Sequence, residues 1–205
     1  MRRSRIGLWN KVRLCHSCCY FFNIFQVKGI KMKIGVLALQ GSFHEHISLL
    51  KKLGVETIQI KLPEQLNEID GLIIPGGEST TILQLLEKYK FNLKEFNKAI
   101  FGTCAGCIVL AELGLIDIKI ERNAYGCQLY SFIDDILLEN GDKVRGVFIR
   151  APKIINLNEK IEILGKHNKD PVLVKQNNVM VATFHPELTE EIKVHDMFLE
   201  FLKEN

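Results

Sequence analysis

The sequence predicts a single α/β domain in which helices cover both faces of a doubly wound, mostly parallel sheet. From Lys33 onward, short apolar runs that are typical of buried strands alternate with amphipathic helical stretches. The connections between them are short, which favours neighbouring strands with helices packed across them. The 205 residues, 47% of them hydrophobic, are enough for one sizeable core and too few for two typical enzyme domains.

Strands and helices alternate in the first half of the chain. The runs KIGVLAL, VETIQIK, DGLIIPGG and AIFG are predicted strands, because they are short and rich in apolar or β-branched residues. Helices are predicted at FHEHISLLKKLG, at STTILQLLEKY, which Ser79 or Thr80 could cap, and at CIVLAEL. In such a domain, ligand sites form at the carboxyl ends of the strands.

The second half adds extra antiparallel strands to this pattern. GLIDIKI, KVRGVFIRAP and EKIEILGK are predicted strands, and PVLVKQNNVMVATF is a predicted hairpin that turns at Asn177 and Asn178. The last stretch, TEEIKVHDMFLEFLKEN, is a predicted helix with Thr189 as its cap. Its apolar stripe places Ile192 and His195 toward the core.

Residues 1–31 differ in composition from the rest of the chain. They contain seven Lys and Arg residues and no acid, which leaves 20 basic and 24 acidic residues in the remainder. We interpret this segment as an N-terminal extension that is unstructured or absent from the mature protein. The alternatives are a targeting segment and a zinc site on Cys15, His16, Cys18 and Cys19. The acidic balance of the remainder argues against nucleic-acid binding.

Hydropathy and cysteine content indicate the compartment. No apolar run reaches the ~18 residues that a membrane-spanning helix needs, so we expect no membrane insertion. Beyond the extension the only cysteines are Cys104, Cys107 and Cys127, which are too few for a disulfide scaffold and suit a reducing compartment. We therefore expect a cytoplasmic protein, with organellar targeting by residues 1–31 as the alternative.

The segment FGTCAGC joins a predicted strand to a predicted helix. Within it, residues 102–106 have the form G-x-C-x-G, which is the nucleophile-elbow pattern with cysteine in place of serine. The N-terminus of the following helix favours a thiolate over a thiol, so Cys104 is the predicted nucleophile. Cys107, one helical turn further on, is predicted to be a buried small hydrophobe. The C-x-x-C spacing leaves a thiol-disulfide protein as an alternative.

Among the histidines, His185 is the best placed to act as a base. It follows the apolar run VMVATF and opens the triplet His185-Pro186-Glu187. In an extended chain, residues i and i+2 project to the same side, so Glu187 can accept the imidazole N–H and orient the ring. We expect His44 and His46 on a solvated helix surface and His167 in a polar loop.

A glycine-rich turn and two arginines complete the candidate site. The turn PGGES at residues 75–79 is either an ordinary β-α turn or a source of backbone N–H groups for an oxyanion. Arg122 and Arg150 would suit a substrate that carries a carboxylate, and surface salt bridges are their alternative role.

These motifs resemble the triad-type class I glutamine amidotransferases and, within them, the glutaminase subunits of pyridoxal 5′-phosphate synthases. The resemblance runs from Met32 to about Leu202 and rests on IGVLALQG, PEQLNEIDGLIIPGGEST, FGTCAG, IERNAYG, VFIRAP and FHPELTE. It implies a flavodoxin-like amidotransferase domain over residues 32–205. It also implies hydrolysis of L-glutamine to L-glutamate and ammonia through a cysteine thioester. The ammonia would pass to a ring-shaped, dodecameric synthase core that makes pyridoxal 5′-phosphate, which is a product and not a cofactor.

The resemblance also implies roles for individual residues. Cys104 is the implied nucleophile, His185 the general base and acid, and Glu187 its orienting partner. The implied oxyanion hole consists of N–H groups of Gly76, Gly77 and Ala105, and no metal is involved. The positions implied to bind L-glutamine are Gly77, Glu78, Ser79, Arg122, Ile149 and Arg150. In the family the synthase subunit completes the oxyanion hole by reorienting the glycine turn, and Gln40 lies on the side that faces this partner.

The chain departs from the family pattern at two places. Cys127 stands where a basic residue is common, and the loop before Ile120 is shorter than usual. Neither change touches the implied triad, and both would act on contacts with the synthase subunit. A different cysteine hydrolase on the same fold, such as a peptidase or a deglycase, remains an alternative function.

Overall fold

The computed structural model describes residues 32–124 and 131–204. These residues belong to one compact unit, Met32–Asn205. The predictions for residues 1–31 and for Cys127 lie outside the described residues. Within the described ranges, no helix is both long enough and apolar enough to cross a membrane.

Eleven strands and four α-helices are formed by the described residues. In chain order they are β1 (Lys33–Leu37), α1 (Phe43–Lys52), β2 (Glu56–Ile60), β3 (Gly71–Ile74), α2 (Ser79–Lys88), β4 (Ala99–Thr103), α3 (Ala105–Glu112), β5 (Ile118–Glu121), β6 (Phe132–Leu138), β7 (Lys143–Phe148), β8 (Lys153–Leu157), β9 (Glu162–His167), β10 (Asp170–Gln176), β11 (Val179–Ala182) and α4 (Lys193–Glu204). Short 3₁₀ turns lie at Pro63–Glu68, Leu93–Glu95 and Pro186–Leu188.

Nine of these strands form one mixed sheet in the order β2-β1-β3-β4-β11-β10-β9-β6-β7. The five strands from β2 to β11 pair in parallel, and the pairs from β11 onward are antiparallel. β5 and β8 form a separate antiparallel pair. The predicted α/β domain with a parallel sheet and extra antiparallel strands in the second half is thereby confirmed.

Helices cover both faces of the parallel strands, which explains why β3, β4 and β11 are buried along their whole length. On one face, α4 packs its Phe198 ring against Phe101 of β4 at 5.5 Å between ring centroids. On the other face, α2 and α3 join Ile100 of β4 in the main apolar cluster through residues such as Ile82 and Val109. The catalytic candidates lie at the carboxyl edge of this covered sheet.

Two helix starts differ from the prediction. The N-cap of α2 is Glu78, whose carboxylate accepts the N–H groups of Thr80 at 3.1 Å and Thr81 at 2.7 Å. Ser79, a predicted cap, is instead the first residue inside that helix. Thr189, the predicted cap of α4, ends the preceding 3₁₀ turn, because its hydroxyl donates to the Pro186 carbonyl at 3.0 Å.

The later start of α4 also changes which residues face the core. Ile192 precedes the helix and is 37% exposed, so its predicted core position was wrong. His195 is fully buried, as predicted. The hairpin prediction is confirmed, since Asn177 and Asn178 connect β10 to β11 and Asn177 has a positive φ of 52°.

Candidate active site

A cavity of about 390 Å³ opens at the carboxyl ends of β3, β4 and β11. Its lining residues are Gly77, Glu78, Ser79, Cys104, Ala105, Ile108, Arg122, Asn123, Ile149, Arg150 and His185. The volume lies within the usual range for sites that bind small molecules. Every position implied to bind L-glutamine lines this one cavity together with Cys104 and His185.

Cys104 occupies a strained backbone position between β4 and α3. Its φ of 47° and ψ of −103° lie in a region that residues with a Cβ rarely adopt. The Cys104 N–H donates to the Ala182 carbonyl at 2.8 Å, which fixes the turn against β11. A Cβ on Gly102 would lie 2.7 Å from the Gly106 carbonyl carbon, so the strand and helix approach too closely for larger residues. These features match the predicted elbow.

The two sulfurs of the C-x-x-C segment have different surroundings. Cys104 lines the cavity at the N-terminus of α3, where the first N–H groups of the helix have no partner within it. Cys107 is fully buried in the apolar cluster, and burial raises the pKa of its thiol. Both thiols are free. Cys107 therefore packs the core, as predicted.

His185 and Glu187 form the predicted pair, although the local geometry differs from the expected extended chain. His185 Nδ1 lies 2.7 Å from Glu187 Oε1, and the His185 N–H donates to the Val147 carbonyl at 2.8 Å. Glu187 belongs to the 3₁₀ turn Pro186–Leu188 rather than to a strand. The turn brings the carboxylate to the Nδ1 side of the ring, so the contact was predicted correctly by an argument that used the wrong conformation.

Electrostatics favour an ionised His185–Glu187 pair. Burial alone would lower the pKa of His185, but its hydrogen bonds to Cys104 and Glu187 and their negative charges raise it to about 10. Burial alone would raise the pKa of the Glu187 carboxyl, but the imidazoles of His46 and His185 and the Ser42 hydroxyl lower it to about 2. At neutral pH His185 is thus an imidazolium paired with the Glu187 carboxylate.

The glycine turn packs directly against the triad. A Cβ on Gly76 would overlap His185 Cε1 and lie 2.9 Å from its Nδ1, and one on Gly77 would lie 3.0 Å from Gln40 Cδ. The Gly76 carbonyl accepts the Ser42 N–H at 3.1 Å, and Gln40 Oε1 accepts the Glu78 N–H at 2.8 Å. A side chain at Gly76 would therefore displace the His185 ring, and one at Gly77 would displace the Gln40 side chain. The turn also brings Gly77 to the same cavity as Ala105.

The two arginines reach the cavity from different elements. Arg122 donates to Thr80 Oγ1 at 3.4 Å and forms an ion pair with Glu112 at the end of α3. Arg150 follows β7 with a positive φ of 48°. The Ile149 carbonyl lies 3.8 Å from Cys104 Sγ, which places this segment beside the nucleophile. The structure thus brings together two cations that the sequence separates by 28 positions.

A family model described as the SNO glutamine amidotransferase family matches residues 36–204. The chain belongs to this family. It is 47% identical over 188 residues to the pyridoxal 5′-phosphate synthase subunit PdxT of Thermosipho africanus. This match covers 84% of this chain and 100% of that protein. PdxT of Francisella tularensis subsp. holarctica is 47% identical over 175 residues, covering 82% of this chain and 97% of that protein.

Solved structures agree with this assignment. A crystal structure of glutamine amidotransferase is 43% identical to the chain with a TM-score of 0.78, and the match covers 83% of this chain and 98% of that one. PurLQS from Thermotoga maritima is 19% identical with a TM-score of 0.68, covers 84% of this chain and 100% of that one, and shares the fold. The predicted amidotransferase family and fold are both confirmed.

Two histidines of this glutamine amidotransferase were misplaced by the sequence reasoning. His46, expected on a solvated surface, is fully buried and lies 3.5 Å from Glu187 Oε2. Its spacing of three and four residues from the apolar Leu49 and Leu50 was the available signal. His167, expected in a polar loop, belongs to β9 and lies 2.9 Å from Asp134 Oδ2.

Two further cavity residues were not singled out. Asn123 stands inside the quoted IERN motif, so its position in the family pattern was the available signal. Ile108 follows Cys104 by four residues, and this helical spacing places it over the same edge of α3. In the ranges 32–124 and 131–204, no group of three or more His, Cys, Asp or Glu residues is arranged to hold a metal ion.

Proposed function

We propose that this chain is the glutaminase subunit of a pyridoxal 5′-phosphate synthase. It hydrolyses L-glutamine to L-glutamate and ammonia, and the ammonia is used for pyridoxal 5′-phosphate synthesis. The relatives named pyridoxal 5′-phosphate synthase subunit PdxT support this function, because the match covers 100% of their length at 47% identity. The observation that carries the catalytic part is the single cavity that holds Cys104, His185 and the six implied glutamine positions.

The first half-reaction begins at Cys104. Its thiolate attacks the side-chain amide carbon of glutamine, and a C–S bond forms as the carbonyl becomes an oxyanion. Backbone N–H groups of the glycine turn at Gly76 and Gly77 and of Ala105 hold that oxyanion. The His185 imidazolium then donates its proton to the amide nitrogen, the C–N bond breaks, and ammonia leaves a γ-glutamyl thioester.

The second half-reaction regenerates the thiolate. His185, now neutral, takes a proton from a water molecule that attacks the thioester carbon. Collapse of the second oxyanion breaks the C–S bond and expels Cys104 as a thiolate beside the His185 imidazolium, and the new γ-carboxylic acid of glutamate loses its proton to solvent. Glu187 supports both steps, because it accepts the Nδ1–H of His185 and keeps the other ring nitrogen directed toward the reacting atoms.

Substrate recognition uses the negative charge of the α-carboxylate of glutamine. Arg122 and Arg150 provide guanidinium groups for its α-carboxylate. Residues Gly77 to Ser79 and Ile149 also line the cavity and supply polar backbone groups. The Glu78 carboxylate already caps α2, so its backbone is the part of this residue that remains for the substrate.

The chain works with a synthase subunit that uses the ammonia and forms a ring-shaped, dodecameric core. Gln40 supports a partner-facing role for the glycine turn, because its side chain holds the Glu78 N–H from outside the cavity. Reorientation of this turn by the partner completes the oxyanion hole. No cofactor is required, and the complex acts in the cytoplasm.

A coupled assay tests this function. The full chain is mixed with a cognate synthase subunit, and ammonia release from glutamine is followed with and without that partner. We expect the partner to switch on turnover and Cys104→Ala to abolish it, while Cys107→Ala serves as the matched thiol control. Turnover that persists in Cys104→Ala would overturn the mechanism, and a requirement for both cysteines would favour thiol-disulfide chemistry.

A further inference from the structure

Two histidines lie buried behind the triad, on the side away from the cavity. His46 of α1 and His195 of α4, here called the histidine pair, are both 0% exposed. His46 contacts Thr103, which precedes the nucleophile, and Glu187, the carboxylate of the triad, and His195 contacts His46. No step of the glutaminase reaction described above uses either of them. Buried imidazoles beside a reacting group are uncommon, so their arrangement requires an explanation.

The contacts of the pair form a chain that ends at the triad. His46 Nδ1 lies 2.8 Å from His195 Nε2, and His46 Nε2 lies 3.1 Å from Thr103 Oγ1. The same His46 Nε2 is 3.5 Å from Glu187 Oε2. The other carboxylate oxygen, Oε1, already accepts from His185 and from Ser42, both at 2.7 Å. Oε2 has no hydrogen-bond partner in the described structure.

Hydrogen-bond accounting selects one arrangement of protons on the pair. In the first arrangement, His46 carries its proton on Nδ1 and donates it to His195 Nε2. The unprotonated Nε2 of His46 would then face the Glu187 carboxylate. His195 would carry its own proton on Nδ1, where it is buried without an acceptor. If His195 donates from Nε2 instead, His46 carries its proton on Nε2 and directs it at Thr103 and Glu187. The second arrangement leaves only an unpaired nitrogen lone pair on His195, which is the smaller cost.

Both histidines are neutral in this arrangement. Burial lowers the pKa of His46, and burial together with the neighbouring His46 lowers the pKa of His195 to about 3. The charged groups that face His46 are Glu187 and His185 from the triad and Glu45 from its own helix. A neutral His46 can therefore offer an N–H to Glu187 without competing with His185 for an ion pair.

We propose that His46 is a positioning residue that holds the triad carboxylate against His185. Its Nε2–H faces the oxygen of Glu187 that His185 does not use, and His195 fixes the ring in the tautomer that carries this proton. The same ring also contacts Thr103, which precedes Cys104 in the nucleophile elbow. One buried side chain therefore sets the separation between Cys104 and the His185–Glu187 pair. This inference rests on the proposed glutaminase function.

The test compares His46→Leu with His46→Gln, which keeps an amide N–H near the position of Nε2. His44→Leu is the matched control, because His44 is exposed and lies two residues earlier on α1. We measure kcat and KM for glutamine against pH in the full chain with a cognate synthase subunit. His46→Leu should lower kcat roughly tenfold or more, leave KM nearly unchanged and move the acid limb to higher pH. His46→Gln should restore most of the rate.

A second measurement separates this inference from the proposed function. Alkylation of Cys104 by iodoacetamide needs the thiolate but no glutamine turnover. The pH below which alkylation slows, here called the acid edge, therefore reports how well the triad stabilises the thiolate in the chain without its partner. The acid edge should rise in His46→Leu and stay in place in His44→Leu. Absence of glutamine hydrolysis in the unmodified chain would refute the function and leave this readout intact.

Two outcomes would overturn the inference. One is an unchanged acid edge in folded His46→Leu. The other is a His46→Gln variant whose kcat is as low as that of His46→Leu. Either result would indicate that His46 only packs the core. If His46→Leu does not fold, His195→Phe replaces it, since a phenyl ring preserves the edge contact with Phe101 and removes the Nε2 donor. An unchanged acid edge in that variant refutes the role of the pair, and a raised edge supports it.

Discussion

At the scale of single residues, Cys104 and Cys107 show how position decides the chemistry of a thiol. They lie one helical turn apart, but Cys104 has a positive φ and faces the cavity, whereas Cys107 lies inside the apolar cluster. The sequence predicted this difference, because the glycines of the elbow surround only the first cysteine. The role of His46 could not be predicted, since its contact with His195 joins positions that are 149 residues apart.

Cys107→Ala should keep kcat and KM for glutamine unchanged. The substitution removes one buried sulfur, so the free energy of unfolding should fall by about 1 kcal/mol. Urea denaturation and the coupled ammonia assay measure the two quantities separately. Loss of activity in a variant that remains fully folded would contradict the packing role of Cys107.

Cys104→Ala should lower the pKa of His185. The hydrogen bond and charge of Cys104 are leading causes of the raised value of about 10, and Glu187 alone remains in the variant. In the unsubstituted protein the pKa of His185 in the folded state lies above the ordinary 6.5. The contribution of the protonated His185 to the free energy of unfolding is therefore complete below pH 6.5 and is lost as the pH rises through 10. NMR titration of the His185 ring measures the shift, and an unchanged pKa would rule out the Cys104 contact as its cause.

At the scale of elements, the turn between β3 and α2 contributes both to the stability of α2 and to the geometry of the triad. Gly76 and Gly77 contact His185 and Gln40, while the next residue, Glu78, caps α2. The sequence predicted the turn and its glycines but assigned the cap to Ser79 or Thr80. A glutamate is an uncommon N-cap, so the usual preference for short polar residues pointed one or two positions too far along the chain.

Gly76→Ala should reduce kcat strongly, on the order of a hundredfold, because its Cβ would displace the His185 ring from Glu187. The matched control is Gly54→Ala after α1, where a Cβ would meet nothing within 4 Å. Gly54 has a φ of 73°, so the control should lose about 1 kcal/mol of stability through backbone strain and keep its activity. Steady-state kinetics of both variants check the prediction, which equal losses of kcat would refute.

Glu78→Ala should destabilise α2 by about 1 kcal/mol, whereas Glu78→Asp should retain most of the cap. Hydrogen bonds from Thr81 and Thr80 lower the pKa of Glu78 below its ordinary value of 4.5. The cap therefore contributes its full stability above pH 4.5 and loses it as the pH falls below that value. Thermal unfolding of the three proteins at pH 7 and at acidic pH measures this contribution. An equal loss in both variants would show that the carboxylate is not the cap.

At the scale of the whole molecule, the alternation of strands and helices was enough to predict the sheet and the edge that carries the site. The antiparallel half was less predictable. Strand β6 reads FIDDILL, in which exposed acids interrupt the apolar pattern, and within the described ranges β8 pairs only with the short β5. The residue roles came from the family resemblance, because spacing alone does not show that Arg122 and Arg150 reach one cavity.

A chain that begins at Met32 should keep the melting temperature and the partner-dependent glutaminase activity of the full chain. PdxT of Thermosipho africanus is matched over 100% of its length by 84% of this chain, and the family match begins at residue 36. Residues 1–31 thus have no counterpart among the residues that form the family domain. Differential scanning calorimetry and the coupled assay compare the two chains, and a large drop in either quantity would refute the proposed domain boundary.

The contacts that complete the site join distant parts of the chain, and this affects when the enzyme becomes reactive. Ser42 and Glu187 are 145 residues apart, and His46 meets a residue near the carboxyl terminus. During synthesis, Cys104 leaves the ribosome long before His185 and α4 exist. The nucleophile therefore stays unactivated on a nascent or truncated chain. A chain that ends before His185 therefore lacks both the base and the carboxylate that glutamine hydrolysis requires.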